Sequence, residues 1–181
     1  MGDYVHGYNE REERRLRDQA HTLAELLHGD VRYPDGARVL EAGCGVGAQT
    51  VTLARNNPGA SITALDINAD SLASAQAAVA AAGVDNVCFL QGDLFHAPFA
   101  PETFDHIFLC FVLEHMPRPR EVLAALRELI RPGGSITVIE GDHGSAYFHP
   151  DSAAARRAIL GQIDLQARAG GNACIGRELY P

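Results

Sequence analysis

One stretch, Arg38-Val39-Leu40-Glu41-Ala42-Gly43-Cys44-Gly45-Val46-Gly47-Ala48-Gln49-Thr50, constrains this chain more than any other. An apolar run there breaks into three alternating glycines and then returns to helix-compatible sequence. It reads as a strand, a tight turn and a helix start. Glycines at alternate positions let the backbone reach φ > 0 and bring its N–H groups close to a ligand, because no Cβ stands in the way. The pattern predicts a nucleotide cradle. The loop leaves two nucleotides open: Gly43-x-Gly45-x-x-Ala48 fits the dinucleotide fingerprint, while Gly43-x-Gly45-x-Gly47 behind an acidic residue fits a different cradle.

From this loop onward, strand patterns alternate with helix patterns. Val39 to Ala42 is followed by a helix from Ala48 to about Asn57, stopped by Pro58-Gly59. Ser61 to Leu65 forms a second strand ending at Asp66, and Asn68 caps a helix from Ala69 to Ala82 that ends at Gly83. Val87 to Gln91 closes in Gly92-Asp93. Phe104 to Cys110 is a continuous apolar run, as expected of a strand covered on both faces. A helix from Pro119 to about Arg131 and a turn at Pro132-Gly133-Gly134 lead into Ser135 to Glu140. The alternation predicts an α/β fold, a Rossmann-like open and mostly parallel sheet with helices on both faces. Before it lies a helix over about 10–28, capped by Asn9 with Glu12 reaching back. After it, Asp151 to about Ala169 reads as one more helix, with Leu160, Ile163 and Ala167 on a common face.

The charge balance, 15 Lys and Arg against 23 Asp and Glu for a net charge of −8, offers no concentrated basic face for nucleic acid. Cys44, Cys88, Cys110 and Cys174 lack CxxC spacing. They read as small buried hydrophobes in a reducing, cytoplasmic compartment rather than as a metal site. No apolar run approaches the length of a membrane span or signal peptide, so neither a membrane nor a nucleic acid is an expected partner.

Six pieces in order carry a family resemblance. They are Val39-Leu40-Glu41-Ala42-Gly43-Cys44-Gly45-Val46-Gly47, Thr63-Ala64-Leu65-Asp66-Ile67, Phe89-Leu90-Gln91-Gly92-Asp93-Leu94, Phe104-Asp105-His106-Ile107, Val112-Leu113-Glu114-His115-Met116-Pro117 and Leu129-Ile130-Arg131-Pro132-Gly133-Gly134. Together they span about residues 38 to 140. In these the chain resembles the class I S-adenosylmethionine-dependent methyltransferases of the small-molecule type. The resemblance implies methyl transfer from S-adenosylmethionine, leaving S-adenosylhomocysteine, to a small organic acceptor of specialised metabolism. It also implies an organisation into an N-terminal helical lid (1–36), an S-adenosylmethionine-binding Rossmann-like domain (37–145), and a C-terminal helix with an incomplete substrate region (146–181).

On this reading Gly43, Gly45 and Gly47 line the cofactor. Glu41 faces the cationic amino group of its methionine moiety, where a dehydrogenase pyrophosphate would be repelled. Asp66 stands where an acid accepts from both ribose hydroxyls, with Ile67 beside it. Asp93 and the backbone of Leu94 meet adenine, and Phe111 and Tyr8 complete the cofactor set. His143 and His115, which follow strand ends, are the candidates for a general base, because imidazole titrates near working pH. Tyr4, His6, Tyr147 and Phe148 are the candidate substrate-lining residues. No metal is expected.

The family's full sheet resembles one of seven strands closed by an antiparallel hairpin. Asn172 to Pro181 are too few to build that hairpin. The expectation is a longer protein lacking its C-terminal part, whose strand Ser135 to Glu140 offers an apolar edge for a homodimer, by strand pairing or swapped elements. Two rival functions stand beside methyl transfer: an NAD(P)-dependent oxidoreductase, permitted by Ala48 and Asp66, and a non-catalytic cofactor-binding regulatory or assembly module.

Overall fold

A computed structural model describes residues 10–180. The strands are β1 (Arg38–Ala42), β2 (Ser61–Asp66), β3 (Val87–Gln91), β4 (Phe104–Cys110) and β5 (Ile130–Ile139); the helices are α1 (Glu10–His28), α2 (Thr50–Asn56), α3 (Ala69–Ala81), α4 (Pro119–Glu128) and α5 (Ala153–Arg168). The described residues divide into two compact units. One takes in Phe111–Pro119 and what is described from Ile139 on; the other holds the rest.

The strands form one sheet in the order β3-β2-β1-β4-β5. β1 pairs in parallel with β2 and β4, and β2 with β3. The chain therefore steps outward from β1 to β3 and then returns to the far side of β1 to lay down β4. That reversal is the switch point of a doubly wound sheet, beyond whose carboxyl ends such folds bind ligands. Burial of β1, β2 and β4 explains their apolar runs: Leu40, Leu65, Ile107, Phe108 and Leu109 have no exposed surface.

Three local features differ from the sequence expectation. α2 starts at Thr50 rather than Ala48, because Gly47 at φ +76° still belongs to the turn. β5 starts at Ile130. The carbonyls of Glu128 and Leu129 accept from the N–H groups of Glu102 and Phe104, so pairing begins directly as α4 ends. The Pro132-Gly133-Gly134 segment is absorbed into the strand, with Gly133 at φ +86° and Gly134 pressed so closely on the Asp105 carbonyl that no Cβ fits. Cys88 is exposed and Cys110 and Cys174 are only half-buried, leaving Cys44 as the buried one. β3 ends the sheet on its side, and the alternate side chains Cys88 and Leu90 face outward.

A buried amide ties the entry of the sheet together. Asn57, 2 % exposed, accepts from the Tyr33 N–H at 2.7 Å and donates to the Leu53 carbonyl at 2.8 Å. An unmet buried partner costs roughly 1–3 kcal/mol. Asn57→Leu is expected to lower the unfolding free energy by that order in a urea titration with an unchanged m-value.

Candidate functional site: a glycine cradle and a separate acid-histidine cluster

The cradle begins as a continuation of the β1–β2 ladder. The N–H groups of Gly43 and Cys44 both donate to the Leu65 carbonyl, at 2.8 and 3.0 Å. Asp66, the last residue of β2, then accepts the Gly45 N–H through Oδ2 at 2.8 Å and the Asn68 N–H through Oδ1 at 2.9 Å. Its carboxylate thus pins the loop and starts α3. Gly47 lies at φ +76°, and a Cβ there would sit 2.9 Å from the Cα of Ala75, so the third glycine serves close packing against α3. Gly45, at φ +52°, is different: a Cβ would meet nothing within 4 Å. Its backbone faces open space, as a ligand floor must.

Glu41 lies at the end of β1, 3 % exposed. Its Oε2 and the Thr50 hydroxyl are buried without a hydrogen-bond partner. Burial pushes the Glu41 pKa up to about 7; the nearby Thr50 hydroxyl opposes the rise and the Asp66 charge adds to it. An unpaired buried carboxyl beside an open glycine floor suits a cation and repels a phosphate. The acids at the ends of β2 and β3 suit the rest of a nucleoside. Ile67 is 44 % exposed, an apolar surface available to a base. Asp93 caps the short turn Leu94–His96, accepting the Phe95 N–H at 2.9 Å, while Leu94 is buried. The residues therefore fit a cationic nucleoside such as S-adenosylmethionine.

The second unit carries its own polar cluster, built on the turn Leu113–His115 and the segment after β5. Glu140 receives three backbone donors: Val112 and Leu113 to Oε1, at 2.9 and 2.7 Å, and Glu114 to Oε2 at 3.3 Å. Burial nevertheless lifts its pKa to about 7, against the pull of those N–H groups and helped by the Glu114 charge. Glu114, 7 % exposed, stands between two imidazoles. Its Oε1 is 3.3 Å from His115 Nε2 and its Oε2 is 3.5 Å from His143 Nε2. Burial pushes its pKa up, but the two histidines outweigh that and hold it below the usual carboxylate value.

The two candidate bases are thus brought to one carboxylate. Phe148 joins His143 in the lining of a recess of about 120 Å³, whereas Tyr147 is 93 % exposed and is not in that lining. Phe111 takes the left-handed conformation at φ +58°, its N–H bonded to the Ile139 carbonyl at 2.9 Å. Such backbone strain in a non-glycine residue costs roughly 1–3 kcal/mol and clusters at functional sites. Tyr4, His6 and Tyr8 lie outside the described residues. Glu114 and Glu140 are not among the residues that the sequence marks for chemistry; Glu140 directly follows β5, and Glu114 lies in the turn after β4.

Because the Glu41 pKa is raised on folding, the folded protein binds more protons than the unfolded chain between the ordinary carboxylate value and about pH 7. Stability therefore falls as pH rises through that window. Glu41→Gln is expected to raise the thermal midpoint of the cofactor-free protein at pH 8 and to flatten its decline between pH 5 and 8, by a free energy on the order of a few kcal/mol.

The family model for a methyltransferase domain matches residues 39–134. The methyltransferase GfsG of Streptomyces halstedii is 30 % identical over 126 residues, covering 69 % of this chain and 45 % of the relative. A ubiquinone biosynthesis O-methyltransferase of Cronobacter sakazakii is 36 % identical over 101 residues, 56 % of this chain and 41 % of the relative. Among solved structures, a SAM-dependent methyltransferase of Aquifex aeolicus superposes with a TM-score of 0.64 over 86 % of this chain and 87 % of its own, at 19 % identity, a likeness of fold. The chain spans less than half the length of these curated relatives. The model's match runs from β1 through the start of β5, across every element of the cradle. The chain belongs to the methyltransferase-domain family, and its cofactor is S-adenosylmethionine.

Proposed function

We propose that this chain transfers the methyl group of S-adenosylmethionine to a small organic acceptor by in-line displacement. The observation that carries the reading is Glu41: a buried carboxyl with an unpaired oxygen, near the end of β1 just before the glycine turn. A dinucleotide's pyrophosphate would meet repulsion there, which disfavours the oxidoreductase reading. The bound cofactor supplies an electrophilic methyl on a sulfonium.

What the protein adds is placement. Holding two reactants in line is worth up to about 7–11 kcal/mol, so no acid or base chemistry is obligatory. In this proposal Glu41, with Gly43, Gly45 and Gly47, fixes the aminoacyl end. Asp66 and Ile67 fix the ribose and one face of the base, Asp93 and Leu94 fix the adenine edge, and Phe111 contributes a cofactor contact. His143, with His115 beside the same carboxylate, serves an acceptor that must shed a proton. Phe148 offers it an apolar wall. Tyr147, and the outlying Tyr4, His6 and Tyr8, keep their proposed places against substrate or cofactor.

The division into a lid (1–36), a cofactor domain (37–145) and a substrate region (146–181) is part of the same reading. A small-molecule acceptor is supported by the relatives' printed names, one a ubiquinone biosynthesis enzyme and another a demethylmenaquinone methyltransferase. None of the four cysteines is in a disulfide, in keeping with a cytoplasmic setting, and no described helix is long and apolar enough to cross a membrane. β5 ends the sheet on its side, which supports pairing of two copies there.

Titration calorimetry with S-adenosylhomocysteine and with NADH tests the reading. Binding of the first alone is expected; binding of NADH alone would refute it. Incubating the protein and a deuteromethyl-labelled cofactor with extracted metabolites should then produce a labelled small molecule. Binding without any labelled product would favour a regulatory module.

A further inference from the structure

Resting on the methyl-transfer reading, we propose that His28 is a positioning residue for the cofactor: through its hydrogen bond to Gln49 it latches the end of α1 to the exit of the glycine turn and so places Thr50 against Glu41. Every residue in this relay lies in one of the two compact units, between α1 and β4.

His28 is the last residue of α1, and Gly29 and Asp30 after it are exposed, yet His28 itself is only 1 % exposed. Its imidazole stacks on Phe108 of β4, with ring centroids 5.4 Å apart and planes at 27°. Phe108 stands opposite Glu41 in the parallel β1–β4 register, so the two side chains leave the sheet on the same face. His28 Nε2 lies 2.7 Å from Gln49 Oε1. An amide oxygen only accepts, so Nε2 carries the ring proton and Nδ1 is bare. That Nδ1 is buried and has no hydrogen-bond partner among the described residues. Burial holds the imidazole pKa below its ordinary value; the Gln49 bond opposes the fall and the Arg32 charge adds to it, so the ring is neutral at pH 7. An unmet buried nitrogen lowers stability, and a phenylalanine would stack in the same place without one. What histidine adds over phenylalanine is the donor at Nε2.

The turn needs that donor at its last point. Gly43 and Cys44 are held by the Leu65 carbonyl, Gly45 by Asp66, and Gly47 by close packing on α3. Gln49 follows, and its carbonyl accepts the Leu53 N–H at 2.9 Å in the first turn of α2. Its side chain does not cap α2; it bonds to His28 instead. Thr50, the next residue, is fully buried, and its hydroxyl is the group that draws the Glu41 carboxyl pKa down against burial. Fixing Gln49 therefore fixes Thr50, and with it the surroundings of the carboxyl assigned to the cationic end of the cofactor. A carboxyl already in place removes an ordering cost from binding.

The test is titration calorimetry of S-adenosylhomocysteine into the full chain, with thermal unfolding measured on every sample. His28→Phe keeps the stack on Phe108 and removes the donor; Gln49→Met keeps the length of the half-buried side chain and removes the acceptor. Each should bind the ligand about tenfold more weakly, the upper end of what one hydrogen bond contributes, while the thermal midpoint of His28→Phe holds or rises. The double variant should lose no more than either single variant, because both break one link. His28→Gln, whose side-chain N–H can take the place of Nε2–H, should recover most of the affinity. A purely structural role for His28 predicts the reverse, a lower midpoint with affinity unchanged, and that pattern overturns the inference. Additive losses in the double variant, or no recovery in His28→Gln, overturn it as well. If His28→Phe does not fold, Gln49→Met and His28→Gln decide by the same criteria. If wild type does not bind S-adenosylhomocysteine, the methyl-transfer reading falls and the inference with it.

Discussion

Parallel pairing between β1 and β2 sets where every group of the cradle falls. Ala42 stands opposite Leu65 and Asp66 opposite Gln91, so beyond the last β1 residue the ladder still has an acceptor to offer. β2 runs one residue past the end of β1 and finishes with β3, and the Leu65 carbonyl, opposite Ala42, takes the N–H groups of both Gly43 and Cys44. The turn that follows is therefore an extension of the sheet, not a loop laid over it, and its glycines divide the work. Gly47 makes room for α3, while Gly45 leaves its backbone uncovered. Asp66 closes the arrangement by accepting from Gly45, so the acid that a nucleoside would meet is also the one that holds the loop.

The same geometry concentrates charge where burial makes it costly. Burial, with the Asp66 charge beside it, lifts the Glu41 carboxyl to about 7. Natural cores rarely keep such a group without a partner, since a hydrophobic side chain of similar volume would be more stable. In the proposed reading a cationic ligand would supply the missing partner. Glu140 raises a parallel question and has a different answer: three backbone N–H groups already meet its oxygens, so it acts as a clamp on the turn after β4. Glu114 differs again: its Oε2 is buried without a hydrogen-bond partner, 3.5 Å from His143 Nε2.

Much of this was legible in the residues. Alternating apolar runs and helix caps located all five strands and the strand ends Glu41, Asp66 and Asp93, because fully buried parallel strands leave long apolar signatures. Asn68 indeed caps α3, accepting the Ser71 N–H at 2.8 Å. What the pattern missed depends on neighbours distant in sequence. The early start of β5 comes from carbonyls of Glu128 and Leu129 finding β4, and the exposure of Cys88 comes from β3 having no strand beyond it. Glu114 carries no such signature, because its partners, His143 and Gln166, lie far along the chain.

The central claim is that Glu41 is the counter-charge for a cationic cofactor. Titration calorimetry of S-adenosylmethionine into wild type and Glu41→Gln at pH 7.5 addresses it most directly, because the glutamine keeps the shape and removes the charge. The account predicts binding at least about tenfold weaker in the variant, a loss of roughly 1.4 kcal/mol or more. Equal affinity in the two proteins would contradict it.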